Sequence, residues 1–263
     1  MRQIASVVLA VLACVLVAPA QDWAKQSLEK SPRHAEWVTI KHGNRSIQAF
    51  IVYPEVKAKA PAVLVIHEIF GLSDWARSVA DQLAAAGYIA IAPDLLSGTG
   101  PHGGGTSDFA GTDDVTKAVS MLDPGQVTED LNATADYVKK LPAADGKLAV
   151  AGFCWGGTQS FRFATNRHDL SAAFVFYGST PKDVSSITAP VYGFYAENDA
   201  RITSAVPATT EAMKQAGKKY DPVIYQGAGH GFMRAGQDPN GNDANKKART
   251  DAWQRWLTLL KSI

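Results

Sequence analysis

Short apolar segments alternate with longer amphipathic ones along most of this chain, and this alternation narrows the available folds more than any other feature. The continuous apolar runs at residues 61–66 and 148–153 predict strands that are buried on both faces. The amphipathic stretch at 74–86 ends at Gly87 and predicts a helix between strands. Strands joined through helices form a mostly parallel sheet covered on both faces. We therefore expect an α/β fold.

The rest of the chain continues this pattern within a single domain. Residues 37–41 and 47–53 flank a turn-prone His42-Gly43-Asn44 and predict an antiparallel hairpin at the N-terminal end of the sheet. Further strands are predicted at 88–92, 171–177, 191–195 and 222–225, and further helices at 127–141, 204–216 and 245–260, with one more starting at Cys154. The 263 residues suit one core of this kind, and they contain no internal repeat.

One long connection, residues 95–126, interrupts the alternation. It contains Gly98-Thr-Gly-Pro-His-Gly103, which formally matches the G-x-G-x-x-G pattern of dinucleotide-binding turns. Pro101 lies inside the match and no helix evidently opens on its last glycine, so the pattern lacks the required context. We expect this stretch to be a flexible loop or lid beside an active site.

The first 20 residues differ from the rest and predict an export signal. Arg2 precedes an apolar run at 4–17 that is too short to span a bilayer, and Ala18-Pro19-Ala20 resembles a signal peptidase site. We expect cleavage before Gln21, a periplasmic or secreted mature protein at 21–263, and no stable membrane insertion afterwards. Lys and Arg number 26 against 25 acidic residues, a formal charge of +1 that argues against a nucleic-acid partner.

Removal of this signal would leave Cys154 as the only cysteine. One thiol cannot form an intrachain disulfide, so Cys154 is a buried structural residue, a redox-sensing thiol or a nucleophile. Its surroundings favour the last role, because Gly152-Phe-Cys-Trp-Gly156 has the G-x-nucleophile-x-G form and lies between a predicted strand and a predicted helix. A helix N-terminus also favours a thiolate.

A general base and an orienting acid follow Cys154 in the order that this kind of site requires. Asp199 comes directly after the predicted strand at 191–195, and His230 lies on a glycine-flanked loop after the last predicted strand. His230 would take the thiol proton, and Asp199 would orient the imidazole. Glu197 is an alternative orienting acid. No His, Cys and carboxylate residues show a recognised metal-ligand spacing, so we predict no metal.

Four segments together resemble the dienelactone hydrolase family across nearly all of residues 21–263. They are Val65-Ile-His-Glu-Ile-Phe-Gly71, Gly152-Phe-Cys-Trp-Gly-Gly157, Glu197-Asn-Asp199 and Gly229-His-Gly-Phe-Met-Arg234. The resemblance implies a single α/β-hydrolase domain without a cofactor and a Cys154–His230–Asp199 triad.

The same resemblance implies four further roles around the triad. It assigns the backbone N–H groups of Ile69 and Trp155 to an oxyanion hole, Glu68 to restraint of the thiol, and Arg234 to binding of a substrate carboxylate. Residues 94–101 lack the second arginine of characterised members, and Gly231 replaces their serine. The sequence therefore predicts a hydrolase that acts on a small, anionic ester or lactone. The alternative is a catalytically silent binding protein on the same scaffold.

Overall fold

The computed structural model describes residues 22–263. The predicted signal at 1–20 and the predicted cleavage before Gln21 lie outside these residues. Within 22–263, no helix combines the length and the apolar character needed to cross a bilayer.

In the described part of the chain, eight strands form one sheet, in the order β1-β2-β4-β3-β5-β6-β7-β8. Their bounds are β1 Ala35–His42, β2 Arg45–Val52, β3 Ala60–Ile66, β4 Ile89–Pro93, β5 Ala144–Phe153, β6 Ala172–Phe176, β7 Val191–Asn198 and β8 Tyr220–Gly229. β1 and β2 pair antiparallel, β2 pairs antiparallel with β4, and all later pairs are parallel. The predicted mostly parallel sheet with an N-terminal antiparallel hairpin is confirmed.

Helices cover both faces of this sheet. They are α1 Asp22–Glu29, α2 Asp74–Ala85, α3 Thr112–Ser120, α4 Pro124–Lys139, α5 Trp155–Asn166, α6 Ala200–Thr203, α7 Val206–Gln215, α8 Phe232–Ala235 and α9 Asp243–Leu260. The strands divide their side chains between two cores. Val63 and Val65 of β3 pack into one core, and Leu64 and Ile66 pack into the other. This two-sided burial explains why the central strands are continuously apolar.

The expectation that residues 95–126 are a loop is wrong for part of that stretch. It contains two short 3-10 turns, the whole of α3 and the start of α4. α3 buries only Val115 and Val119, which are one turn apart, so its apolar signal is weak. α4 begins at Pro124, before the predicted residue 127, because proline is tolerated in the first turn and Asp123 caps it.

The predicted helix at 204–216 is present as α7, and the short helix α6 directly before it was not predicted. α6 ends at Thr203, and α7 starts at Val206 with Pro207 in its first turn. Pro207 has no N–H to donate to the carbonyl of Thr203, so one continuous helix cannot pass through it.

Hydrogen bonds connect the segment between β4 and α3 to the loop after β3. The Asp94 carboxylate is buried and accepts hydrogen bonds from the N–H of Thr106 at 2.7 Å and from its hydroxyl at 2.7 Å. The same hydroxyl oxygen accepts a hydrogen bond from the N–H of Leu72 at 3.0 Å. A Cβ on Gly71 would lie 2.5 Å from that oxygen, so a larger residue does not fit there.

Candidate active site

Cys154 lies at a sharp turn between β5 and α5. Its φ of 55° is in the left-handed region, which a residue with a side chain occupies at a cost. A Cβ on Gly152 would lie 1.9 Å from the carbonyl oxygen of Gly156, and one on Gly156 would lie 2.3 Å from that of His67. The two glycines therefore let the strand, the turn and the helix approach closely enough to present Cys154 above the sheet.

The parallel strands bring Cys154, Asp199 and His230 together at the carboxyl ends of the strands. Cys154 follows β5, Asp199 follows β7 and His230 follows β8. Nδ1 of His230 lies 2.5 Å from Oδ2 of Asp199. The alternative acid, Glu197, instead accepts a hydrogen bond from the N–H of Gly227 at 2.8 Å.

The other ring nitrogen of His230 is turned away from the acid. Nε2 is buried and forms no hydrogen bond of ordinary geometry within residues 22–263. The pKa of His230 is nevertheless raised to about 9, mainly by Cys154 and further by Asp199, while partial burial opposes the shift. His230 is therefore charged at neutral pH, with the sulfur of Cys154 as its most influential neighbour.

Cys154 and His230 share a cavity of about 270 Å³. Its other lining residues are Ile69, Trp155, Thr158, Tyr177, Ser179, Arg201 and Ile202. Within residues 22–263, the backbone N–H groups of Ile69 and Trp155 form no hydrogen bond with the protein. Trp155 is the first residue of α5, where N–H groups have no acceptor within the helix.

Glu68 and Arg234 form an ion pair at one side of the site. Nε of Arg234 donates to Oε2 of Glu68 at 2.8 Å, and the Glu68 side chain is only 4% exposed. Burial raises the pKa of Glu68, although Arg234 and His230 oppose this shift. Arg234 does not line the cavity of Cys154. It lines another cavity of about 530 Å³, whose wall includes Thr106, Ser107, Phe109, Gly111 and Thr112 of the long connection.

Five residues of the Cys154 cavity escape prediction from the sequence: Thr158, Tyr177, Ser179, Arg201 and Ile202. Arg201 lies in α6, exposed and without an ion pair in the described part of the chain, and its only signal is its position two residues after Asp199. Tyr177 follows β6 with a φ of 40°, and its ring packs edge-on against His230 at 5.0 Å. Burial raises the pKa of Tyr177 well above its usual value, so its hydroxyl is neutral.

Residues 22–263 contain no group of three or more His, Cys, Asp or Glu side chains arranged to hold a metal ion. Cys154 is the only free cysteine described in this range. The arrangement therefore offers a sulfur, an imidazole paired with a carboxylate, and two unpaired N–H groups around one small cavity. This combination suits acyl transfer.

Comparisons with known proteins identify the family of the chain. A Salmonella typhi protein described as a carboxymethylenebutenolidase candidate is 32% identical over 211 residues, which cover 75% of each chain. A Bradyrhizobium protein described as a candidate 2-oxo-3-(5-oxofuran-2-ylidene)propanoate lactonase is 30% identical, covering 86% of this chain and 93% of its own. The crystal structure of a dienelactone hydrolase candidate from Klebsiella pneumoniae superposes with a TM-score of 0.76 at 27% identity, covering 88% of this chain and 99% of that one. The model of the dienelactone hydrolase family matches residues 47–263, and this α/β-hydrolase chain belongs to that family.

Proposed function

We propose that this hydrolase cleaves a small ester or lactone through Cys154, His230 and Asp199, by way of an acyl-enzyme. The observation that carries the proposal is the single cavity lined by Cys154, His230, Ile69 and Trp155. A nucleophile, a base and two residues whose backbone N–H groups are unpaired line the same small space, which suits the carbonyl of an ester.

The first half of the reaction forms a thioester. His230 holds the thiol proton, and the sulfur of Cys154 attacks the carbonyl carbon. The carbonyl oxygen becomes an oxyanion that accepts hydrogen bonds from the N–H groups of Ile69 and Trp155. Collapse of this intermediate breaks the C–O bond, and the leaving alkoxide takes the proton from Nε2 of His230. In a lactone, the leaving hydroxyl stays attached to the acyl chain.

The second half hydrolyses the thioester. Neutral His230 takes a proton from water, and the resulting hydroxide attacks the thioester carbon. The sulfur of Cys154 leaves as a thiolate beside the recharged imidazole, and the carboxylic acid product departs. Asp199 keeps Nδ1 protonated throughout, which leaves Nε2 free to exchange protons.

We assign Arg234 to recognition of an anionic substrate and Glu68 to control of Arg234 before substrate arrives. Their 2.8 Å contact occupies one edge of the guanidinium, so a substrate carboxylate would compete with Glu68 for it. Because burial raises the pKa of Glu68, displacement from Arg234 would favour its protonated, neutral form. The related Bradyrhizobium protein is named for a lactone that carries a carboxylate, which is the substrate class proposed here.

Trapping the acyl-enzyme tests the mechanism. Brief reaction with p-nitrophenyl acetate should give a burst of nitrophenol and an acetyl adduct on the tryptic peptide that contains Cys154. Cys154→Ala should show neither the burst nor turnover, and Cys154→Ser should keep at most a trace. Near-normal turnover by the alanine variant would exclude the thiol mechanism.

The same assay addresses the two alternatives. A silent binding protein would show no burst with any nitrophenyl ester. A redox-sensing thiol would react with peroxide and alkylating agents, and an acetyl group that it took from the activated ester would stay on the sulfur without turnover. An adduct that forms and then hydrolyses is expected only of the proposed enzyme.

We also propose that the protein is exported, with Gln21 as its mature N-terminus. The support is the sequence of residues 1–20, in which Arg2 precedes a short apolar run that ends at Ala18-Pro19-Ala20. Mass spectrometry of protein from the native host should find Gln21 first, in the cyclised or the open form. An intact Met1 would contradict export with cleavage.

A further inference from the structure

The buried imidazole of His67 lies behind both proposed oxyanion donors and has no part in the steps above. His67 follows β3 directly and is 0% exposed. Its Nδ1 lies 2.7 Å from the carbonyl oxygen of Glu68. Burial lowers the pKa of His67, so the ring is neutral. A carbonyl oxygen can only accept, and Nδ1 must therefore carry the single ring proton.

The contact with Glu68 fixes the direction of the Ile69 N–H. The carbonyl of Glu68 and the N–H of Ile69 belong to one planar peptide unit, in which the two groups point in opposite directions. Nδ1 of His67 and the N–H of Gly71, at 3.2 Å, both hold that carbonyl oxygen. Because these two donors hold the carbonyl oxygen of Glu68, the N–H of Ile69 points in the opposite direction. Ile69 is one of the residues that line the cavity of Cys154.

His67 also supports the second donor. Its ring stacks nearly parallel on the indole of Trp155, with the ring centroids 5.5 Å apart and the planes 13° apart. The next residue, Gly156, packs so closely that a Cβ would lie 2.3 Å from the carbonyl oxygen of His67. His67 therefore contacts both the peptide unit that carries the N–H of Ile69 and the side chain of Trp155.

The imidazole is not an optimal choice for packing alone. Its Nε2 is buried and forms no hydrogen bond of ordinary geometry within the part of the chain that the structure describes. A buried polar atom without a partner destabilises the fold, which an aromatic hydrocarbon at this position would avoid. A role for the Nδ1 proton accounts for an imidazole here.

We propose that His67 is a positioning residue whose Nδ1–H aims the N–H of Ile69 at the oxyanion, while its ring packs beside Trp155, which carries the second donor. The inference rests on the proposed thiol mechanism. The His67 side chain makes two contributions, the hydrogen bond from Nδ1 and the stacking of its ring on Trp155.

Two substitutions separate these contributions. In His67→Asn, the side-chain N–H₂ can take the place of Nδ1–H, but the ring is lost. In His67→Phe, the ring is kept, but the donor is lost. If aiming the Ile69 N–H is the main role, His67→Phe should lower kcat for p-nitrophenyl acetate about tenfold or more with KM little changed. His67→Asn should stay within about threefold of the wild-type kcat, as expected for a restored donor.

Alkylation of Cys154 by iodoacetamide provides the control, because this displacement forms no oxyanion. All three proteins should be alkylated at similar rates, and circular dichroism melting should show that His67→Phe is at least as stable as the wild type. Unchanged kcat in His67→Phe, or equal losses in both variants, would overturn the inference. Parallel losses of kcat and alkylation rate would also overturn it, since they would indicate a general disturbance. Wild-type protein that stays active after complete alkylation would instead refute the thiol mechanism.

Discussion

The charge on His230 depends on a neighbour that is itself reactive. Cys154 is the largest influence raising the pKa of His230 to about 9, with Asp199 adding to it. The imidazolium is therefore a property of the pair rather than of the histidine alone. This coupling can be tested without substrate.

Replacing Cys154 with alanine should lower the pKa of His230. The variant keeps Asp199 and the partial burial, which act in opposite directions, but it loses the largest raising influence. Titration of the His230 ring by NMR should show a value near 9 in the wild type and a clearly lower value in Cys154→Ala. Identical titrations would show that Asp199 alone sets the charge.

The same shift should make stability depend on pH. A raised histidine pKa stabilises the fold fully below the ordinary value of about 6.5 and less as pH rises through the folded value. The wild type should therefore lose thermal stability between about pH 6.5 and about pH 9. Melting curves across this range should be flatter for Cys154→Ala, and parallel curves would argue against the coupling.

Arg234 should select substrates by charge. Arg234→Gln would leave the buried Glu68 without its ion-pair partner. The matched comparison is therefore the double variant Glu68→Gln with Arg234→Gln, which carries no charge at either position. Both variants should lose tenfold or more in kcat/KM for a carboxylate-bearing lactone, about 1.4 kcal/mol per decade, and little for a neutral ester. Equal losses on both substrates would make Arg234 structural.

Arg201 provides an internal comparison for this experiment. It lines the cavity of Cys154 but is exposed and unpaired among residues 22–263, so its attraction for an anion is screened by water. Arg201→Gln should lower kcat/KM for the anionic lactone only about twofold to fivefold. A larger loss than that of Arg234→Gln would transfer the main anion site to Arg201.

Among the helices and strands, those that present the triad could be predicted better than those around it. Cys154, Asp199 and His230 each follow a parallel strand, and an apolar strand is visible in the sequence. α3 could not be predicted in this way, since Val115 and Val119 are its only buried side chains. The places of Arg201 and Tyr177 depend on tertiary packing, which no local pattern encodes.

The connection between β4 and α3 should depend on the Thr106 hydroxyl. Thr106→Val keeps the shape of the side chain but removes the hydrogen bonds of its hydroxyl to Asp94 and Leu72, and it leaves the N–H of Leu72 without its acceptor. We expect a loss of about 1–3 kcal/mol in the free energy of unfolding, measured by urea denaturation. Ser107→Ala is the matched control, because that hydroxyl is exposed and forms no hydrogen bond within the described chain. Equal stability of both variants would show that the hydrogen bonds of the Thr106 hydroxyl do not stabilise the fold.

Across the whole molecule, the triad is supported unevenly. Cys154 follows β5, which has strand neighbours on both sides, whereas His230 follows β8, which is the last strand of the sheet. Within residues 22–263, β8 pairs only with β7 and leaves Ile224 44% exposed. At its last residue, the N–H of Gly229 donates a hydrogen bond to Oδ1 of Asn245 in α9 at 2.9 Å.

An outer strand with one neighbour opens more readily than the centre of a sheet, and here that strand carries the general base. Activity should therefore decline at lower urea concentrations than the circular dichroism signal, while Cys154 and the central strands remain folded. Hydrogen exchange should show the amides of β8 opening at lower free energy than those of β5. The loss of activity would then report the opening of the outer strand β8 and not the unfolding of the core. A partly opened enzyme would lose its general base, His230, while it keeps its nucleophile, Cys154.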